Sequence, residues 1–310
     1  MDDKDSIREI SSLIDEYKNE HNAIILAHNY QRPQIQDVAD YVGDSLALAR
    51  EVIDVKADVI VFCGVYFMAE TAKIVNPNKR VLIPDLLARC PMAFMLSPED
   101  IRQAKSKYPG SQTVLYVNSS AECKALSDCV CTSANADKIV DAMDSDRVLF
   151  GPDMNLAYYV EKRTDKQIVV VPEGGNCPTH HQLALADVLK AKKMHPDARL
   201  IVHPEVDPGI QDVSDAIEST GGMLRYVGES DASEFIIGTE EGMVYRLNRE
   251  FPEKKFYHVS PPMLCPPMKS LTLDKVLDCL KSNRFEVKVP DNVSSDASAA
   301  INRMLRLSGV

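Results

Sequence analysis

The chain has 310 residues, 45% apolar and 26% charged, with a formal net charge of -11. That length admits about two domains and a sizeable core, the acidic balance argues against nucleic acid as the main partner, and no apolar run approaches a membrane span. Eight cysteines, with a charged N-terminus that reads as helix and not as an export signal, point to a reducing cytoplasmic setting in which metal binding or catalysis outweighs disulfides.

Residues 5–20 carry helical periodicity, with Ser6 as an N-cap. "AIILAHNYQ" reads as a buried strand ending near Ala27, with His28, Asn29 and Tyr30 in the loop beyond. A short helix is expected over Gln34–Tyr41, and "GDSLALAREVI" begins another, capped by Asp44 or Ser45. "DVIVFCG" is a second strand ending at Gly64, "YFMAETAKIV" a helix stopped by Pro77, and "RVLIP" a third strand that leads to Cys90.

The sequence then starts again. "SPEDIRQAKSKYPG" is a capped helix, "TVLYVNSS" a strand running into Asn118, and "CTSANADKIVDAM" a helix starting at Thr132 or Ser133. "RVLFG" ends at Gly151, "NLAYYVEKR" is helical, and "QIVVVP" leads to Cys177. In a third pass, "HHQLALADVLKAKKMHPDA" reads as one helix and "RLIVHPE" as a strand running into His203 and Glu205. A helix starts at Ser219 or Thr220, "EFIIG" ends at Gly238, "EEGMVYRLNREFP" is helical, and "KFYHVS" leads to Cys265. "LTLDKVLDCLKS" and "SSDASAAINRMLRL" supply two closing helices.

Several landmarks share one period. Cys90-Pro91, Cys177-Pro178 and Cys265-Pro266 are spaced by 87 and 88 positions, and Gly64, Gly151 and Gly238 by 87 and 87. Ser45, Ser133 and Thr220 are spaced by 88 and 87, as are His28, Tyr116 and His203, and Tyr30, Asn118 and Glu205. Such repetition marks three copies of one α-β-α-β-α-β unit. Alternation of this kind predicts an α/β fold of three pseudo-threefold-related α/β/α domains with parallel sheets. The expected boundaries are 1–95, 96–182 and 183–270, with closing helices over 271–310. Ligands collect beyond the carboxyl ends of such strands, so the active site is expected where the three domains meet.

Three thiolates from distant loops fit a four-iron cluster that keeps one iron free of protein ligands, a Lewis acid for a hydroxyl or carboxylate. Structural zinc usually has four closing ligands, often in CxxC pairs, and the bland alternative is three buried loop cysteines. Cys63 and Cys279 read as core. Cys123, Cys129 and Cys131 form a local group without counterparts in the other units and are read as free thiols. Glu205 could abstract a proton beside a carbonyl while Tyr30 or a histidine serves the oxygen. Ser45, Ser133 and Thr220 offer hydroxyls at helix starts that suit carboxylate or phosphate, or simply cap.

The segments "LAHNYQ", "GDSLALAR", "GVYFMAETAKI", "CPMA", "YVNSSAE", "CTSAN", "GPDMNLAYYV", "GGNCPTHH", "HPE", "STGGM" and "CPPMKSLTLDKV" together resemble the quinolinate synthases of bacteria and archaea, in order and over nearly the whole chain. The resemblance implies condensation of iminoaspartate with dihydroxyacetone phosphate to quinolinate, phosphate and two waters, for NAD biosynthesis. It implies an oxygen-sensitive [4Fe-4S] cluster on Cys90, Cys177 and Cys265 and a triplicated fold. It carries proton transfer onto Tyr30 and Glu205, active-site polar roles onto His28, His203, Tyr116 and Asn118, and anion-binding hydroxyls onto Ser45, Ser133, Ser219 and Thr220. It places His180 beside the cluster, with Met263 and Met268 shielding the third ligand. It also implies functional coupling to an aspartate oxidase or dehydrogenase that supplies iminoaspartate. The alternatives kept open are another cluster-dependent hydro-lyase of a small polycarboxylate and a non-catalytic metal-bound scaffold.

Overall fold

Every expected strand forms, and each unit contains one more. In the computed structural model, which describes residues 3–53 and 55–309, the first sheet consists of β1 (Ala23–His28), β2 (Tyr41–Gly43), β3 (Val59–Cys63) and β4 (Arg80–Leu82). The second has β5 (Gln112–Tyr116), β6 (Cys129–Cys131), β7 (Arg147–Gly151) and β8 (Gln167–Val170). The third has β9 (Arg199–Val202), β10 (Ala216–Ile217), β11 (Glu234–Gly238) and β12 (Lys255–His258). Their orders are β2-β1-β3-β4, β6-β5-β7-β8 and β10-β9-β11-β12, one topology three times over. All pairings between these strands are parallel. Helices cover the sheets, so central strands such as β3 are apolar and buried throughout.

The additional strands, β2, β6 and β10, are edges of two or three residues. A run that short displays no period. Each is nonetheless preceded by an aspartate in register. Asp40, Asp128 and Asp215 accept the backbone N–H of Ile25, Thr113 and Leu200 through Oδ2, each at 2.7 Å. One carboxylate thus pins each edge strand to the strand beside it.

Local boundaries differ from expectation in four places. Ser6 lies inside the first helix, Asp3–Glu20. The helix expected to Tyr41 is Pro33–Val38, and Tyr41 opens β2. Thr132 and Ser133 precede the helix Ala136–Asp141, whose N-cap is Asn135. The long helix after Cys177 divides into Pro178–His181 and Leu185–Met194.

The closing helices join the preceding units. Leu273–Ser282 packs on the first helix and on β3, and the chain after it pairs with β4 through Val287 N–H to Val81 O at 2.8 Å. Asp291–Leu307 lies against β6, the helix Ala121–Lys124 and the helix Tyr66–Val75. One continuous apolar cluster includes Ile25 of the first sheet, Val114 of the second and Phe235 of the third. Among the described residues, no helix is long and apolar enough to cross a membrane.

Candidate active site

The carboxyl ends of all three sheets open onto one cavity, with about 620 Å³ of empty space, mouth included. β1, β5 and β9 end at or just before His28, Tyr116 and His203, and two residues further on stand Tyr30, Asn118 and Glu205. The chain turns there, with Gln31 N–H to His28 O at 2.9 Å and Val206 N–H to His203 O at 3.1 Å, and all six side chains line the cavity. The loops that carry them are held from beneath at equivalent positions. Gln36 Nε2 donates to Asn29 O and Gln31 O, Lys124 Nζ to Ser119 O, and Gln211 Nε2 to Pro204 O and Val206 O. This accounts for Lys124, a fully buried lysine outside the expected site.

Cys90, Cys177 and Cys265 line the same cavity, and all three are free thiols. Each is the N-cap of a one-turn helix with proline in the first turn. Proline fits there because its missing N–H would have no helical partner. Burial pushes the Cys90 thiol up to about 12 and Cys265 up to about 11, and raises Cys177 well above its ordinary value. The backbone N–H of the third residue beyond each cysteine, Ala93, His180 and Met268, lies near the sulfur and opposes that shift. Buried thiols with such high values stay protonated unless a cation displaces the protons. Three converging sulfurs, each with a waiting N–H donor, suit a cationic group that takes three thiolates.

Cys177, His180 and Glu205 also bring a sulfur, a nitrogen and an oxygen within 4.8 Å of one another. His180 Nδ1 is 2.7 Å from Glu205 Oε2 and 3.2 Å from Cys177 Sγ. Two ligands of one tetrahedral zinc, with bonds of about 2.0–2.3 Å, sit roughly 3.3 Å or more apart. The imidazole–carboxylate separation is therefore that of a direct hydrogen bond. Cys123 donates to Leu96 O at 3.4 Å, while Cys129 and Cys131 are buried in β6, away from the cavity.

Glu205 is the only carboxylate among the expected site residues, and it is 3% exposed. Tyr116 OH donates to its Oε1 at 2.7 Å, and Asn118 Nδ2 to the same oxygen at 3.4 Å. Burial alone would raise its pKa. His203 and His180 beside it, with hydrogen bonds from His180 and Tyr116, hold it below the usual carboxylate range instead. An ionised carboxylate only accepts, so His180 carries its proton on Nδ1 and accepts at Nε2 when neutral. Nε2 is 2.8 Å from Thr239 Oγ1, which is 2.6 Å from Tyr30 OH. Donation therefore runs from Tyr30 through Thr239 and His180 to Glu205. Burial raises Tyr30 well above its ordinary value, and Glu205 adds to the effect, so the phenol keeps its proton. Burial lowers His28 to about 4 and His203 to about 3, which leaves both imidazoles neutral at pH 7.

Ser45, Ser133 and Thr220 line the outer side of the cavity. Ser133 Oγ lies 3.1 Å from His203 Nε2, and Thr220 Oγ1 accepts from Asn29 Nδ2 at 2.9 Å. Ser219 is elsewhere. It caps the helix Thr220–Glu229 and donates to Asp44 Oδ2 at 3.1 Å. Met263 packs with Val259 in the core of the third unit, away from the cavity, whereas Met268 lines it.

Sequence reasoning missed the residues that support the site. Asp153 and Glu240 each stand two positions after a landmark glycine; Asp153 Oδ1 accepts Leu156 N–H at 2.7 Å, and Glu240 Oε1 accepts the backbone N–H of Cys265 at 3.2 Å. Lys269 Nζ bridges Glu240 at 3.1 Å and Tyr30 O at 2.8 Å, tying the third cysteine loop to the Tyr30 loop. The even register of the glycines was the available signal for Asp153 and Glu240. Thr239 stands where the other units have Val65 and Pro152, so repetition conceals it.

The profile of the family described as "Quinolinate synthetase A protein" matches residues 12–306. The chain is 52% identical to the quinolinate synthase of Pyrococcus furiosus, over 98% of this chain and 100% of that one. It is 52% identical to the quinolinate synthase of Methanothermobacter thermautotrophicus over 94% of this chain and 96% of that one, and 48% identical to that of Methanocaldococcus jannaschii over 96% and 99%.

Proposed function

Since the chain belongs to the quinolinate synthetase A family, we propose that it condenses iminoaspartate with dihydroxyacetone phosphate to quinolinate, phosphate and two waters, as a cytoplasmic step of NAD biosynthesis. The observation that carries the reading is the convergence of Cys90, Cys177 and Cys265 on the cavity that holds Tyr30 and Glu205. The three thiolates would hold a [4Fe-4S] cluster, and when bound it supplies a Lewis acid for substrate oxygen.

The chain's own residues supply the rest. Ser45, Ser133 and Thr220 offer hydroxyls to carboxylate and phosphate oxygens, and the neutral His28 and His203 add polar contacts without a fixed charge. Ionised Glu205 accepts a proton from carbon beside a carbonyl or imine. Tyr30, kept protonated, donates to a departing or carbonyl oxygen. The Thr239–His180 link joins Tyr30 and Glu205 in one hydrogen-bonded chain, which fixes the donor at one end against the base at the other. The burial of these groups excludes water from reactive imines. An aspartate oxidase or dehydrogenase would supply the iminoaspartate, and the reaction involves no net redox change.

The test is anaerobic iron and sulfide analysis of the chain, paired with a quinolinate assay on the two substrates. Cys177→Ser should lose the iron and the activity while keeping the far-ultraviolet spectrum of the α/β fold. Retention of both in that variant, or no quinolinate from cluster-replete wild type, overturns the reading.

A further inference from the structure

A second cavity, with about 950 Å³ of empty space, mouth included, adjoins the first on its outer side, and Asp44 lines both. Its walls continue the repeat. Leu46, Ala134 and Gly221 follow directly on Ser45, Ser133 and Thr220, and Arg50, Lys138 and Arg225 stand five positions after them. The hydroxyls therefore form the boundary between an inner and an outer chamber, and one cation from each unit stands around the outer one. On the helices Ser45–Glu51 and Thr220–Glu229, five positions correspond to about 7.5 Å along the axis, so Arg50 and Arg225 stand outside the hydroxyl ring, and Lys138 lines the same outer chamber.

Two features make this ring more than a solvated surface. Arg50, Lys138 and Arg225 are all exposed, and among the described residues none forms an ion pair, although acidic residues outnumber basic ones by 46 to 35. Among the described residues, the one carboxylate on the wall, Asp44, is turned to structural use. It accepts Ala47 N–H at 2.8 Å, Ser219 Oγ at 3.1 Å and Gly221 N–H at 3.2 Å. A Cβ on Gly221 would come within 2.5 Å of that carboxylate, so glycine is what lets Asp44 span the first and third units. In addition, Arg50 Nη2 donates to Ser308 O at 2.8 Å, and Asn135 Nδ2 to Ser308 Oγ at 2.8 Å. The Ser308 carbonyl takes the place an anion oxygen would occupy on Arg50.

We propose that Arg50, Lys138 and Arg225 form the vestibule through which dianionic substrates reach the hydroxyl ring and dianionic products leave. The proposal deepens the reading above and rests on it for the identity of the anions. An acidic protein repels dianions at long range, and a focused patch of one sign at the mouth of a cleft raises their local concentration and association rate by 10- to 1,000-fold. Such steering is lost at high ionic strength, where the screening length falls to about 3 Å.

The test compares three cluster-replete proteins under anaerobic conditions. They are wild type, the triple variant Arg50→Gln, Lys138→Gln and Arg225→Gln, and a control triple with the same change of charge, Lys190→Gln, Lys193→Gln and Lys281→Gln. The first triple should lose about tenfold in kcat/KM for dihydroxyacetone phosphate at low salt, with the loss in kcat/KM rather than kcat and closing as salt rises. Lys138→Glu alone should be worse than Lys138→Gln. A vestibule triple within twofold of wild type at every salt concentration, or a control triple that falls equally, overturns the proposal. A second arm titrates inorganic phosphate into each protein by rapid-mixing fluorescence. Slower phosphate association in the vestibule triple alone supports the ring even if wild type makes no quinolinate, in which case only the functional reading fails. Equal phosphate association in all three overturns the ring.

Discussion

Glu205 receives hydrogen bonds from Tyr116 and His180 while fully enclosed, an arrangement that keeps a carboxylate charged where burial alone would neutralise it. Glu205→Gln preserves the shape and most of these contacts but removes the base. It should keep the bound iron and lower kcat by about 10²- to 10⁴-fold, measured as quinolinate formation; near-normal turnover would remove Glu205 from the mechanism. His28 gives a second, independent signature. Its folded pKa is lowered to about 4 from 6.5, so between those values the unfolded chain binds a proton that the native chain refuses. Stability from this group is present above pH 6.5 and is lost as pH falls towards 4. Wild type should therefore lose about 1.4 kcal/mol per pH unit more than His28→Gln between pH 6 and 4.5 in denaturant titrations; equal slopes would mean that His28 is not held neutral. At this scale the sequence revealed residues that recur. His28, Tyr116 and His203 were legible because three units place them alike. Thr239 was not, because a hydroxyl in one copy and Val65 and Pro152 in the others share a position but no chemistry.

Secondary structure was legible where the apolar run was long enough to show a period. β1, β3 and β11 were, whereas β2, β6 and β10 have only two or three residues and take their conformation from the neighbouring strand and from Asp40, Asp128 and Asp215. Caps were legible in kind but not always in position. Asn135, not Thr132 or Ser133, caps its helix, because Thr132 N–H and Oγ1 donate to Asn135 Oδ1 and form a turn first. The contact least visible from sequence is where the helix Gly242–Glu250 begins against the Tyr30 loop. A Cβ on Gly242 would meet Tyr30 C at 2.8 Å and Asn29 O at 2.9 Å, and backbone does not yield as a flexible side chain does. Gln36 Nε2 already links Gly242 O, Asn29 O and Gln31 O at that point. Gly242→Ala should cost about 1–3 kcal/mol by overpacking and displace Tyr30, and a displacement near 1 Å lowers turnover by about 10²-fold. Denaturant midpoints and kcat measured together check both parts; a variant as stable and as active as wild type would show that the helix start is not what positions Tyr30.

Three sheets of one topology could be three separable domains, but their contacts argue for one cooperative body. Glu205 of the third unit is held by Tyr116 of the second, Tyr30 of the first by Thr239 of the third, and Asp44 of the first by Ser219 of the third. The apolar cluster runs through all three sheets without a break. The helix Asp291–Leu307 extends this continuity, because it covers β6 in the second sheet and the helix Tyr66–Val75 in the first. Its sequence shows an amphipathic helix but not what that helix covers, since its packing partners lie far away in the chain. It buries Ala297, Ala300, Ile301, Met304 and Leu305. At about 1.5–3 kcal/mol for each of the three larger side chains, their loss would remove roughly 4.5–9 kcal/mol, comparable to the about 5–15 kcal/mol by which a native protein is stable. A chain ending before Asp291 should therefore show no cooperative denaturant transition near neutral pH, while the full chain unfolds in one step that tyrosine fluorescence and far-ultraviolet dichroism report alike. If the shortened chain kept a transition within about 2 kcal/mol of the full one, the helix would be an accessory and the three units would be holding together through the cavity contacts alone.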